Sequence, residues 1–150
     1  MKPCLLLLLA LSPLLDAGDA GSRVLYVGGT VPGVRNKSDL YVDLIETDAL
    51  KVSDHGRSFQ IPYRDVTTLE YGMRVSRRYI EAALISPALI LAKKRSHFLT
   101  IGYTDAAGNQ QAMVLEVGKG EIRPMLVSLE ARTGRRVEFQ DDEARKAGKG

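Results

Sequence analysis

Two histidines and a glycine-lysine turn are the groups best equipped for chemistry in this chain of 150 residues. His55 lies in Asp54-His55-Gly56-Arg57, a turn-like run, and His97 follows a cluster of cations at the head of an alternating stretch. An imidazole can serve as general acid or base near neutral pH, but only with a nucleophile or carboxylate held beside it. Neither histidine has such a companion at a recognisable spacing. HExxH and GxSxG motifs are both missing, as is any pair of histidines with a nearby carboxylate. His55 therefore reads as an exposed turn residue and His97 as a packing or hydrogen-bonding one. Gly118-Lys119-Gly120 precedes a helical pattern and could hold an anion. It lacks the upstream glycine and the Ser or Thr of a nucleotide loop, so Lys119 reads as the end of a strand. Gly28 to Gly33 (GGTVPG) has turn composition without the spacing of a dinucleotide fingerprint. Asp141, Asp142 and Glu143 could attract a cation but read as a solvated run. The expectation is a protein that is not an enzyme, with no catalytic residue, no metal ligands and no cofactor.

The N-terminus carries a different signal. Met1 and Lys2 precede the apolar run Leu5 to Leu15, and small residues around Ala17, Gly18 and Ala20 follow it, which is the pattern of a secretory signal peptide over 1–20. Cleavage after Ala20 and an exported, periplasmic or secreted, location are expected. Cys4, the only cysteine, stands before the apolar run and not at the cleavage point, so lipidation there is not expected. A mature chain would carry no thiol and hence no disulfide or Cys–metal site. The formal charge of +3 is too small to argue for a nucleic-acid partner. Asn36-Lys37-Ser38 matches a glycosylation sequon, which matters only in a eukaryotic host.

From residue 21 onward the pattern is that of short strands. Val24 to Val27, Leu40 to Ile45 and Leu50 with Val52 suggest a strand and then a hairpin, which continues through the His55 turn into Ser58 to Tyr63. Pro62 breaks that run, and Leu69 and Tyr71 resume the alternation, so a corner is predicted there. His97 to Tyr103 places Leu99, Ile101 and Tyr103 on one face, and Gln110 to Val117 places Met113, Leu115 and Val117 likewise, which predicts a second hairpin. Ile122, Met125, Leu126 and Leu129 follow the i, i+3, i+4, i+7 stripe of an amphipathic helix over 121–133, closed by Thr133-Gly134. Arg136 to Phe139 suggests a last strand, and residues 141–150 a charged, flexible tail.

The middle breaks the pattern. Ser76 to Arg95 reads SRRYIEAALISPALILAKKR, apolar for most of its length and bracketed by cations. Ser86-Pro87 suggests a helix start for a short helix over Pro87 to Lys94, after a helical turn around Tyr79 to Leu84. The run is too short to span a bilayer. It could lie at a headgroup layer, with Tyr79, Ile80, Leu84, Ile85, Leu89, Ile90 and Leu91 dipped inward and Arg77, Arg78, Lys93, Lys94 and Arg95 on anionic phosphate. The same residues could meet a protein partner, or fold back to cover the domain itself. Glu81 within the run favours the last of these.

These elements describe a mainly β, α+β domain over 21–140. The expected architecture is a small antiparallel β-barrel or bent sandwich with a C-terminal amphipathic helix and a helical insertion at 76–95 between strands. The element order, the IPY..V..LEYG corner, the KKR.HFLTI.Y strand and the LEARTG helix end resemble uncharacterised bacterial exported proteins with a pleckstrin-homology-like, or GRAM-like, barrel. That resemblance covers roughly Val24 to Phe139 and implies a fold much more than an activity. Together with the insertion it suggests an exported, non-enzymatic binding or adaptor module, peripheral on an anionic membrane surface or bound to a protein partner. The alternative is a structural domain whose insertion is buried and which has no single ligand.

Overall fold

The structure is a computed structural model and describes residues 21–82 and 96–149. The segment expected as a signal peptide, the expected helix at Pro87 to Lys94, and Leu84, Ile85, Leu89, Ile90, Leu91, Lys93, Lys94 and Arg95 lie outside the described residues.

Eight strands form one sheet: β1 (Ser22–Gly29), β2 (Ser38–Asp43), β3 (Ala49–Asp54), β4 (Arg57–Pro62), β5 (Val66–Gly72), β6 (His97–Thr104), β7 (Gln110–Val117) and β8 (Val137–Phe139). Their spatial order is β4-β3-β2-β1-β7-β6-β5-β8. Two meanders, β1 to β4 and β5 to β7, join where β1 pairs antiparallel with β7. The alternation expected from the sequence holds along both. Leu40 and Val42, Leu50 and Val52, Leu69 and Tyr71, Leu99 and Ile101, and Met113 and Leu115 all point into one buried cluster. The tight turn between β3 and β4 uses His55 and Gly56, both at positive φ (43° and 86°), the backbone that a two-residue hairpin loop requires.

The sheet does not close into a barrel, one of the two forms expected, and it is mixed where an antiparallel one was expected. Pro62 ends β4 without an N–H to offer, and a 3-10 turn over Tyr63–Asp65 diverts the chain before β5 begins. The free edge of β5 is then taken by β8, which runs parallel to it in the register Leu69↔Val137, Glu70↔Glu138 and Tyr71↔Phe139. With that edge occupied, β5 has nothing left to pair with β4, and the sheet stays open.

Helix α1 (Arg77–Ala82) follows β5, helix α2 (Lys119–Thr133) follows β7, and helix α3 (Asp142–Lys149) ends the described chain. Helix α2 buries the predicted stripe of Ile122, Met125, Leu126 and Leu129 against residues from strands of both meanders, so the sheet bends around it. It begins two residues earlier than expected, with Lys119 as its first residue and not the end of a strand. Pro124 consequently sits in the second turn, where it removes one backbone hydrogen bond. Gly134 stops the helix at φ 66°, its N–H returning to the Glu130 carbonyl 3.0 Å away.

The segment expected as a flexible tail forms α3. The Asp141 carboxylate accepts from the Ala144 N–H at 2.6 Å, an N-cap, and Asp142 and Glu143 follow in the first turn, where acidic groups favour a helix. Ala144 is fully buried in the main core and Ala147 packs against it. Helix α3 therefore rests on α2 and the β5–β8 corner.

Candidate functional site

The outer face of the sheet holds a second, smaller core. Along β6 and β7 some of the residues between those facing α2 are also apolar: Phe98 lies before Leu99, and Val114 lies between Met113 and Leu115, although Thr100 and Glu116 interrupt the runs. Successive side chains on a strand point to opposite faces, so apolar runs like these need cover on both. Val27, Val75, Phe98 and Val114 form this outer cluster, and Tyr79 and Ile80 of α1 pack half-buried against it. The helix is thus mounted on the sheet face opposite α2.

Charge fixes the mounting. Glu70 of β5 is only 5 % exposed, and its carboxylate accepts from the Arg78 guanidinium and, at 2.7 Å, from the Gln140 side-chain amide. Arg78 also reaches Glu138 of β8 at 3.2 Å. One guanidinium therefore ties α1 to two neighbouring strands, and the bond to Glu70 holds the Arg78 pKa above its ordinary value. Arg78 further lies 4.8 Å from the Tyr79 ring centroid. Burial pushes the Tyr79 phenol pKa up.

Four of the twelve residues expected to form a contact surface are thereby placed. Arg78, Tyr79 and Ile80 are turned to the domain's own sheet, while Arg77 is exposed and makes no ion pair among the described residues. The remaining eight lie outside the described residues. Glu70, Glu138 and Gln140 were not singled out from the sequence. Glu70, between Leu69 and Tyr71, was readable only as an outward-facing strand residue, and nothing local marks it as the partner of a cation eight positions away.

The two histidines separate clearly. His55 is an exposed turn residue, its Nδ1 2.6 Å from the Asp54 carboxylate. His97 is partly buried, with Nδ1 2.5 Å from the Tyr71 hydroxyl and its ring stacked at 6.0 Å on that of Tyr71, which in turn meets Phe139 edge-on. Burial, helped by the charge of Lys119, lowers the His97 pKa below its ordinary 6.5. The unfolded chain then takes up a proton at His97 first as pH falls. Stability carried by neutral His97 is present above pH 6.5 and is lost as pH drops from there towards the folded-state pKa. The urea midpoint is expected to fall between pH 7.5 and 5.5. In His97→Gln, which keeps a hydrogen-bonding group beside Tyr71, that fall should shrink. An unchanged pH dependence in the variant would mean that His97 does not carry it.

Among the described residues no group of three or more His, Cys, Asp or Glu side chains could hold a metal ion, and no helix is long and apolar enough to cross a membrane. The geometry defines an α+β domain built on one open, bent, mixed sheet with a helix on each face. No family model matches the chain, and no curated protein matches it significantly.

Proposed function

We propose that this chain is an exported, non-enzymatic binding module of pleckstrin-homology-like type that docks on an anionic membrane surface through its basic-flanked segment at 76–95. Support for the fold part comes from topology. A four-strand and a three-strand meander share the β1–β7 seam and bend around a single helix that follows the last strand of the second meander. The open β4 edge and the added β8 and α3 are departures from a closed barrel.

The observation that carries the contact reading is the position of Arg77. It is exposed, and without an ion pair among the described residues, at the start of a helix that Arg78 pins to the outer sheet face, so the cation-flanked segment begins at a point fixed to the sheet. Each cation brought near anionic lipid contributes about 1 kcal/mol.

The test is co-sedimentation with phosphatidylglycerol-containing vesicles. Binding is expected at low salt, and it should be lost at high salt and in a variant carrying Arg77, Lys93, Lys94 and Arg95 changed to Glu. Arg78 is left intact because its replacement would disturb the fold. A second reading, a structural domain with the segment serving as cover, is favoured by the half-buried Tyr79 and Ile80 and the doubly paired Arg78. Failure to bind at either salt concentration would leave that reading standing.

A further inference from the structure

Beyond α1, a groove of about 610 Å³ runs beside β8 where α2 ends and α3 passes. Three arginines line it: Arg135 and Arg136 from the chain between α2 and β8, and Arg145 from α3. Two carboxylates, Glu130 and Glu138, line it as well and offset part of the arginines' charge. Glu130 accepts the Val137 N–H at 2.7 Å, and Glu138 faces Arg78 at 3.2 Å. Arg23, Arg57, Arg64 and Arg78 each lie beside an acidic side chain, whereas Arg35, Arg74, Arg77, Arg123 and Arg132 make no ion pair among the described residues. The groove differs in gathering three arginines of the second kind around one concavity. Arg135 uses its Nε to reach the Val66 carbonyl at 3.2 Å, which holds the guanidinium in place. Arg136 and Arg145 make no ion pair or side-chain hydrogen bond among the described residues.

Like charges gathered in one concavity repel each other and raise a local positive potential, and a bound anion relieves both. Guanidinium groups match the spacing of oxygens on phosphate and can bond it in pairs. The volume exceeds what one phosphate fills. We infer that the groove bounded by Arg135, Arg136 and Arg145 is a binding site for a small polyanion carrying two or more phosphate groups. This inference does not rest on the membrane reading of the segment at 76–95.

The phosphate could belong to a soluble compound or to a lipid headgroup, and the experiment distinguishes them. Calorimetric titration of the full chain with sodium tripolyphosphate at low salt is expected to show one site. Affinity should fall by at least about tenfold in Arg136→Gln/Arg145→Gln, which removes two exposed cations of the groove, while Arg35→Gln/Lys37→Gln removes the same charge elsewhere and should change it little. Cardiolipin-containing phosphatidylcholine vesicles form the second arm. If they bind with the same dependence on Arg136 and Arg145, the headgroup is the source, and if only tripolyphosphate binds, a soluble polyanion is. Absence of tripolyphosphate binding, or equal weakening by both double variants, overturns the site. Vesicle binding lost in Arg77→Glu but kept in Arg136→Gln/Arg145→Gln would support the membrane reading above and not this one.

Discussion

An Arg78→Met substitution is expected to lower the unfolding free energy by about 2–3 kcal/mol, somewhat less than for a fully enclosed pair because the Arg78 side chain is half-exposed. The cost arises at Glu70. Its carboxylate is buried between strands and would keep the Gln140 amide but lose its cation. Methionine retains much of the arginine stem's packing, so the loss reports on charge and not on a hole. Adding Glu70→Gln to the variant removes the stranded charge and should recover part of the stability, a coupling that a double-mutant cycle by urea denaturation would read. Amide exchange in α1 should quicken in the single variant. A cycle showing independent, additive effects would contradict the latch.

The second large effect lies on the other face. Leu129→Ala is expected to cost about 3–4 kcal/mol, because the side chain is fully buried in the last turn of the stripe and the surrounding sheet residues cannot all move in to fill the space. Val127, two residues earlier on the same helix, is 64 % exposed, and Val127→Ala should be neutral or slightly stabilising because alanine favours helix. Thermal or urea unfolding of the pair checks this. Similar losses in both would mean that α2 does not pack by the face its periodicity indicates.

The contrast between Leu129 and Val127 shows which parts of the fold were legible. Wherever an element buries one face against α2, the spacing of apolar residues reports it, and so the strands and α2 were readable from Leu40, Leu99, Met113, Ile122 and their neighbours. What lacks a local periodicity was not. The β8 strand was read at Arg136 to Phe139, but its partner was not: it is three residues long and pairs with β5 across more than sixty residues of sequence, so nothing near either strand announces the other. Helix α3 turns Ala144 and Ala147 to the core, side chains too small to raise a hydropathy signal. Its N-cap, Asp141, was present in the sequence and was read as solvated charge. The candidate site was half legible: the helical character of Tyr79 onward could be read, but Arg78 meets Glu70 and Glu138 only because three separate elements converge.

The parallel docking of β8 on β5 also orders events in time. As the polypeptide is made, β5 and β6 can pair early, yet the outer margin of β5 has no companion until Val137–Phe139, more than sixty residues further on, have emerged. An unfinished chain therefore presents a bare row of amide and carbonyl groups next to Tyr71, open to mispairing with another copy. Truncation before Val137 would make that condition permanent.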